Sequence, residues 1–380
     1  GPDAGSTSST TAAASTSAGT PGSSSDGGVS TTDDPPQPGD AVWQRLYDGG
    51  GDEVFYSVVM LGDDFVVCGY SDAARTGADV LLARYLADGG EDWRVIYDFE
   101  QDTDSCNELL FSAGGSLYAT GQHGRTDGEV GGWVGCFRTV DGSQCWFTET
   151  IGFSGRSLAY SIDNMIVVAG SESALSGGFA SAYYNWGQLA WEHTLEGGML
   201  YASTAIGSEM FVGGELGDRI YLAGYGEAGL AELAITEGPA AGPDAIQRLA
   251  SDGESIFAVG YVASQSSRDP WIGRYTLEGE LVWQHADGEL ALDEEFESLA
   301  IADDGTIFVV GFVTSADNDS AVASWTADGE LRWSRTYPEL VDGDDIARDV
   351  AITADGELLV VGQAQPAGGT RDAYVMRVLP

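Results

Sequence analysis

A glycine that stands four residues before a tryptophan recurs along this chain, and this repeat constrains the fold more than any other feature. The clearest copies are TADGELRW, which ends at Trp333, and TLEGELVW, which ends at Trp283. One copy carries a leucine instead of the tryptophan. The seven pairs are Gly39 and Trp43, Gly89 and Trp93, Gly142 and Trp146, Gly187 and Trp191, Gly229 and Leu233, Gly279 and Trp283, and Gly329 and Trp333.

A second landmark lies between the tryptophans: a run of β-branched residues that ends in glycine, seven times at intervals of 43 to 52 residues. These glycines are Gly69, Gly121, Gly170, Gly213, Gly260, Gly311 and Gly362. Alternating apolar residues and Asp-Gly turns predict four short strands in each unit. Four strands in a unit of 40 to 50 residues are typical of a β-propeller blade.

The two ends of the chain complete each other. The seventh unit stops after its third strand, DAYVMRV (372–378), and a lone fourth strand, AVWQRLY (41–47), opens the ordered sequence. Pairing the two would hide both strand edges and tie the ring shut. We therefore predict an all-β fold, a seven-bladed β-propeller of four-stranded antiparallel blades that the N-terminal strand closes by completing the last blade.

Residues 1–40 differ from the rest because Ser, Thr, Ala, Gly, Pro and Asp dominate them. Such a segment cannot bury enough apolar surface to offset its ordering entropy, so a disordered tether is predicted before a propeller at residues 41–380. Gly1-Pro2 is typical of the scar that protease cleavage of a tag leaves, and we exclude it from fold reasoning. The tether resembles the spacer of bacterial surface lipoproteins, and a plain interdomain linker is the alternative.

The chain is strongly acidic, with 60 acidic against 16 basic residues and a net charge of -44. Nucleic acid is an unsuitable partner because phosphate binding needs basic patches, and an anionic membrane surface is disfavoured for the same reason. No apolar stretch is long enough for a transmembrane helix. Two interpretations remain: adaptation of the surface to salty, marine or halophilic surroundings, which we favour, and cation binding.

Four cysteines are present, and none belongs to a C-x-x-C pair. An even number of cysteines in a chain that is expected to be exported favours disulfides. Cys136 and Cys145 flank the turn signal Asp141-Gly142, so we predict that they bond across one hairpin, which leaves Cys68 to bond Cys106. Four free buried thiols are the alternative.

The Asp-Gly-x-x-x-Trp pattern, as in Asp328-Gly329 before Trp333, combined with a strand ending in glycine, resembles the repeat of the secreted bacterial β-propeller-repeat family. It is also distantly similar to the tryptophan motif of quinoprotein propellers. The resemblance covers residues 39–380 and implies a location outside the cytoplasm of a bacterium, with surface or adhesive roles. No residue maps onto a quinone or metal site, so we assign no cofactor and no metal ligands.

Residues that recur in most blades are interpreted as scaffold, whereas a functional site should break the repeat. The seven tryptophan or leucine positions are therefore predicted to pack between blades. The acidic loops that precede the first strand of a blade are the candidate site, because in a propeller they surround one mouth of the central channel. Calcium binding is possible there, since hard cations need several oxygen ligands, although solvated turns are favoured. These loops carry Asp52, Glu53, Asp102, Asp104, Asp293, Glu294, Asp344 and Asp345.

No catalytic set emerges from the sequence, and two functions stay open. The favoured hypothesis is a non-catalytic, monomeric binding or scaffold propeller that is tethered at the cell surface and takes an unknown protein or glycan partner. The alternative is a polysaccharide-active lyase or hydrolase that works at the channel mouth. Fold alone does not decide between them.

Overall fold

The protein is described by a computed structural model over residues 35–73, 77–99, 103–124, 130–151, 153–172, 177–229, 231–237, 243–264, 267–286, 294–338, 340–341 and 343–380. Within these ranges the regular structure consists of 28 β-strands, and no helix has the length and apolar character needed to cross a membrane. The strands form seven four-stranded antiparallel sheets. The predicted seven-bladed, all-β propeller is confirmed.

Each sheet is one blade, and its strands a to d follow chain order. Blade 1 contains β2 (Glu53–Leu61), β3 (Asp64–Ser71), β4 (Asp79–Tyr85) and β5 (Glu91–Tyr97). Blade 2 contains β6 (Asp104–Phe111), β7 (Leu117–Gly124), β8 (Val130–Phe137) and β9 (Gln144–Ile151). Blade 3 contains β10 (Phe153–Tyr160), β11 (Met165–Glu172), β12 (Gly177–Tyr184) and β13 (Leu189–Glu196). Blade 4 contains β14 (Gly198–Ile206), β15 (Glu209–Leu216), β16 (Ile220–Tyr225) and β17 (Ala231–Glu237). Blade 5 contains β18 (Ala245–Ser251), β19 (Ile256–Ala263), β20 (Arg268–Tyr275) and β21 (Leu281–Ala286). Blade 6 contains β22 (Glu294–Ile301), β23 (Ile307–Thr314), β24 (Asn318–Trp325) and β25 (Leu331–Thr336).

Blade 7 joins the two ends of the chain, as the sequence predicts. It contains β26 (Gly343–Ile352), β27 (Leu358–Pro366), β28 (Asp372–Val378) and, as its outer strand, β1 (Ala41–Tyr47). β1 pairs antiparallel with β28, in a register that places Trp43 opposite Arg377 and Tyr47 opposite Ala373. The ring is thus closed by hydrogen bonds between its first and last strands.

The core lies between the blades rather than within one of them. The described residues form seven hydrophobic clusters, and each cluster joins two neighbouring blades. At the closing junction, Phe55 and Phe65 of blade 1 are buried with Leu359 and Val375 of blade 7. Every blade therefore depends on both neighbours for burial of its apolar faces.

The tryptophan and glycine of the repeat meet at these junctions. Trp283 of blade 5 lies against Gly329 in the c–d turn of blade 6, where a β-carbon would be 2.9 Å from the Trp283 ring. The indole Nε1 of Trp283 also donates a hydrogen bond to the carbonyl of Ala327, at 3.0 Å. The same glycine contact recurs around the ring for Trp43 on Gly89, Trp93 on Gly142, Trp146 on Gly187, Trp191 on Gly229, Leu233 on Gly279 and Trp333 on Gly39.

The second landmark glycine makes room for a β-bulge in strand a. Gly311 of strand b pairs with Phe296, and a β-carbon on it would lie 1.9 Å from the carbonyl oxygen of Glu295. In blade 4 this position belongs to Gly214, because Leu200 pairs with Gly214 and not with Gly213, which the sequence alignment selected. A bulge follows in strand a of all seven blades.

The cysteines behave in two different ways. Cys68 and Cys106 form the predicted disulfide, which links strand b of blade 1 to strand a of blade 2. Cys136 and Cys145, predicted as the second disulfide, are instead free thiols. The hairpin register explains this correction, since Cys136 pairs with Trp146 and Cys145 falls at a register shift beside that pair. Burial and the neighbouring Cys145 raise the pKa of Cys136 to about 12.

The glycine contact gives a matched pair of substitutions. Gly329 and Gly356 both have a φ of +87°, but nothing lies within 4 Å of a β-carbon on Gly356. Gly356→Ala should cost only the strain of the left-handed backbone, about 1–2 kcal/mol. Gly329→Ala should cost about 1–3 kcal/mol more, because the methyl group displaces Trp283. Denaturant unfolding of both variants checks this; equal losses would contradict the role of the contact.

Candidate functional site

One mouth of the central channel forms a large cavity. It has a volume of about 1140 Å³, and the d–a and b–c loops surround it, with Asp52, Asp72 and Thr370 at the rim. Its interior is lined by strand a of every blade. A concave, polar opening of this size is the default location for a ligand.

The bulges of strand a supply the lining of this mouth. A bulge places two residues opposite one on the partner strand and turns the extra side chain out of the ladder. In each blade the extra residue lines the cavity. We call these seven residues the mouth ring: Tyr56, Asn107, Arg156, Tyr201, Gln247, Glu297 and Arg348.

The mouth ring breaks the repeat. Its backbone position is the same in all seven blades, yet its side chains include two tyrosines, two amides, two arginines and one carboxylate. Sequence reasoning missed these residues because they share no residue type. One signal could have found them: each stands 13 or 14 residues before the strand-b glycine, as Tyr56 does before Gly69 (69 − 56 = 13).

Arg156 is the exposed cation of the mouth ring. Among the described residues it forms no ion pair or hydrogen bond. Burial raises the pKa of both Tyr56 and Tyr201, and the positive charge of Arg156 opposes this rise at each hydroxyl. A guanidinium near two phenol rings can accept an anionic group of a ligand and leave the rings to contact the rest of it.

On the other side of the mouth ring, the side chains form ion pairs and hydrogen bonds with neighbouring residues. Arg348 Nη1 donates to Glu297 Oε1 at 2.6 Å, and its guanidinium lies 5.8 Å from the centre of the Tyr56 ring. Gln247 donates to Glu295 at 2.7 Å. These contacts fix the orientation of the side chains before any ligand arrives, which lowers the entropy cost of binding.

A buried polar network lies next to the ring, formed by the residues that follow each bulge. Asp349 accepts hydrogen bonds from the Ser57 hydroxyl (2.9 Å), the Val58 amide (2.9 Å) and the Ser298 hydroxyl (2.6 Å). Arg248 forms ion pairs with Glu108 and, at 3.4 Å, with Asp349. Strand a of blades 1, 2, 5, 6 and 7 is thereby joined across the channel.

The acidic residues predicted as the site do not form one constellation. Glu53, Asp104, Glu294 and Asp345 occupy the same position in four blades, three residues before the bulge, and all four are buried. Three of them accept a hydrogen bond from the described part of the preceding loop: Glu53 from Gly49 (2.9 Å), Asp104 from Phe99 (2.8 Å) and Asp345 from Val341 (3.2 Å). A recurring buried carboxylate that accepts hydrogen bonds from its own loop stabilises that loop.

The remaining four predicted acids differ among themselves. Asp52 lies on the rim of the cavity and accepts a hydrogen bond from the Arg371 amide at 2.9 Å. Asp344 is half-buried and accepts one from the Asn318 amide at 3.0 Å. Asp102 and Asp293 lie outside the described residues.

Asp345 provides a test of these buried carboxylates. Burial, together with Asp319, Asp317 and Asp344, raises the pKa of Asp345 to about 7. An unfolded aspartate titrates near 3.9. Between these values the folded protein holds a proton that the unfolded chain releases, so this stabilisation is complete below pH 4 and is lost as the pH rises through 7. Unfolding free energy should fall from pH 5 to pH 8.

The matched variant is Asp345→Asn, whose amide oxygen can still accept the Val341 hydrogen bond. In chelator and 0.5 M NaCl, which screens general repulsion, its free energy of unfolding should depend less on pH than that of the wild type. The same pH dependence in both proteins would show that Asp345 does not titrate as described.

Comparison with known proteins establishes the fold. No protein-family model and no curated protein matches this chain. The chain is similar to the WD40 β-propeller domain of Doa1, with a TM-score of 0.57 and 11% identity over 87% of this chain and 94% of that chain. It is also similar to Sqt1 of Chaetomium thermophilum, with a TM-score of 0.53 and 16% identity over 87% of this chain and 86% of that chain. For Sqt1 bound to the N-terminus of the ribosomal protein L10, the TM-score is 0.54 and the identity 15%, over 88% of this chain and 98% of that chain. At these identities the similarity shows that the chain is a β-propeller.

Proposed function

We propose that this protein is a non-catalytic binding module that holds a polar peptide segment of a partner protein in the mouth of its channel. The observation that carries the proposal is the mouth ring: at one fixed backbone position, seven blades project a non-repeating set of aromatic, amide and charged side chains into one cavity. Scaffold positions repeat, whereas these do not. Tyrosine and arginine are also the residues that most often dominate binding energy at interfaces.

The exposed guanidinium of Arg156 favours a segment that carries an anionic group. Arg156 is exposed at the centre of an otherwise strongly acidic protein. A carboxylate of the ligand would pair with this guanidinium, while Tyr56, Tyr201 and the amides of Asn107 and Gln247 offer hydrogen bonds to its backbone. Sqt1, a solved propeller of similar fold, is bound to a protein N-terminus, which supports a chain segment as the ligand here.

A binding role agrees better with the mouth ring than hydrolysis does. Glycoside hydrolysis uses two carboxylates that face each other across the scissile bond. Of the four carboxylates that line the cavity, Asp52, Asp72, Asp104 and Glu297, only Glu297 belongs to the ring, and it is ion-paired with Arg348. Its environment therefore favours orientation of neighbouring groups over proton transfer.

We propose further that the protein works outside the cytoplasm and is presented by its N-terminal segment. Support comes from the disulfide between Cys68 and Cys106, since such bonds persist mainly in oxidising compartments. β1 starts on the face of the c–d turns, opposite the mouth, so presentation through this end of the chain would leave the mouth free to meet partners at the cell surface.

The binding proposal is tested by selecting peptides from a random library on the immobilised full-length protein and measuring the affinity of the best binder by calorimetry. Arg156→Ala combined with Tyr201→Ala should weaken binding at least thirtyfold, which corresponds to the loss of about 2 kcal/mol expected for central anchors. The control is Trp186→Ala, because Trp186 is exposed in a c–d turn, on the face opposite the mouth.

Equal affinity of the wild type and the double variant would contradict binding at the mouth. Turnover of a glycan that disappears in Glu297→Gln would contradict the non-catalytic role and favour a polysaccharide-active enzyme. Melting curves of each variant confirm that the fold is retained.

A further inference from the structure

Three aspartates meet at the junction of blades 1 and 2. Asp79 begins β4, Asp98 follows the end of β5, and Asp104 begins β6. One carboxylate oxygen from each of them lies within 4.8 Å of the others. Asp79 and Asp104 are 2% and 0% exposed. The junction thus concentrates negative charge in a buried space.

Two of these carboxylates lack the partners that burial demands. The Oδ1 atoms of Asp79 and Asp104 are buried, and neither accepts a hydrogen bond from any described residue. Burial, with Asp98 adding to it, raises the pKa of Asp79 to about 6. Burial and the two neighbouring aspartates raise that of Asp104 to about 7. Buried charged groups are normally paired or coordinate a metal ion, and among the described residues no basic side chain pairs with Asp79 or Asp104.

At another junction of the repeat, an arginine places a positive charge beside the equivalent buried aspartate. Between blades 4 and 5, Asp244 occupies the position of Asp104, and Arg219 occupies the position of Asp79. The equivalence follows from one backbone hydrogen bond, which joins Asp104 N to Ala78 O at the first junction and Asp244 N to Asp218 O at the second. The Arg219 guanidinium opposes the burial that raises the pKa of Asp244. At this junction the chain carries its own cation.

At the junction of blades 7 and 1, hydrogen-bond donors satisfy the buried carboxylate. Asp48, Glu53 and Asp372 form the equivalent cluster there. Both carboxylate oxygens of Glu53 accept hydrogen bonds, from the Ser71 hydroxyl and from the Gly49 amide, each at 2.9 Å. Among the described residues, the Oδ1 atoms of Asp79 and Asp104 at the junction of blades 1 and 2 have neither a basic side chain nearby, as Asp244 has, nor a hydrogen-bond donor, as Glu53 has.

We propose that a calcium ion binds between blades 1 and 2, held by the carboxylates of Asp79, Asp98 and Asp104. Three hard oxygen donors favour calcium over the softer transition metals, and calcium accepts further carbonyl and water ligands at 2.3–2.6 Å. Asp104 also lines the mouth cavity, so water can reach the ion and complete its shell. Bound there, calcium ties the two blades together beside the Cys68–Cys106 disulfide and fixes this part of the rim.

The experiment is a calcium titration of the full chain in 0.15 M NaCl. Calorimetry measures the heat of binding, and a parallel series measures the melting temperature. Ionic strength is kept constant with NaCl, and magnesium is titrated in parallel. Calcium should bind with a saturable heat and raise the melting temperature by several degrees, and a chelator should reverse the rise. Magnesium should produce a smaller rise, because it holds its own water more tightly.

The variants are chosen so that each is expected to fold. Asp79→Asn and Asp104→Asn remove repulsion, so they should melt at or above the wild-type temperature without calcium and should lose the calcium response. Asp79→Arg copies Arg219 and should raise the melting temperature without calcium and abolish the response. The matched control Asp372→Asn changes the equivalent residue at the other acidic junction and should keep the full response.

Three results would overturn the proposal. One is a wild-type melting temperature that follows ionic strength alone. Another is a calcium response that survives in Asp79→Asn and Asp104→Asn. The last is a response lost in Asp372→Asn, which would place the ion between blades 7 and 1.

Discussion

The contact on which the molecule depends is that of an aromatic ring on a glycine of the next blade. The glycine serves two purposes at once, since its turn requires a positive φ and its missing side chain leaves the seat for the ring. Trp283 on Gly329 shows the arrangement, with the indole anchored by a hydrogen bond to the same turn. Every blade contributes a glycine seat, six blades contribute an aromatic ring and blade 4 contributes Leu233, so the contact runs around the whole molecule. The N-terminal segment provides the last pair, Gly39 and Trp43. Large aromatic side chains bury more apolar area than any others, so this contact orders the junctions around it.

The second glycine of the repeat links the scaffold to the site. By allowing strand b to approach the backbone of strand a, it permits a bulge at one level of each blade. The bulge turns one side chain per blade into the mouth, and packing does not restrict what that side chain is. The same repeat therefore builds a uniform ring and presents seven variable positions, of which Arg156 and Tyr201 are examples. This separation explains how a regular fold can carry an irregular, specific surface.

The fold could be predicted from the sequence because its determinants are local and repeated: turn glycines, tryptophans and alternating strands. Ring closure followed because the first and last strands each lack a partner in their own unit.

The site could not be predicted in the same way. A bulge is a property of strand pairing, so Tyr56 looks like any other residue of an alternating strand. Acidic loops attracted attention through composition, whereas the register shows that Glu53 and Asp345 share one buried position three residues before the bulge. The register also decided the cysteines, since a shift beside Cys136 leaves it next to Cys145 without a bond.

The central claim is that aromatic-on-glycine contacts hold the ring and that β1 closes it. The most direct measurement is complementation: a chain of residues 48–380 is melted alone and with a synthetic peptide of residues 36–47. The account predicts that the shortened chain melts lower than the full chain, and that the peptide restores most of the loss in a saturable way by adding a strand to the exposed edge of β28. A peptide with Trp43→Ala should restore far less. Equal melting of the shortened and full chains, or equal rescue by the two peptides, would contradict the account.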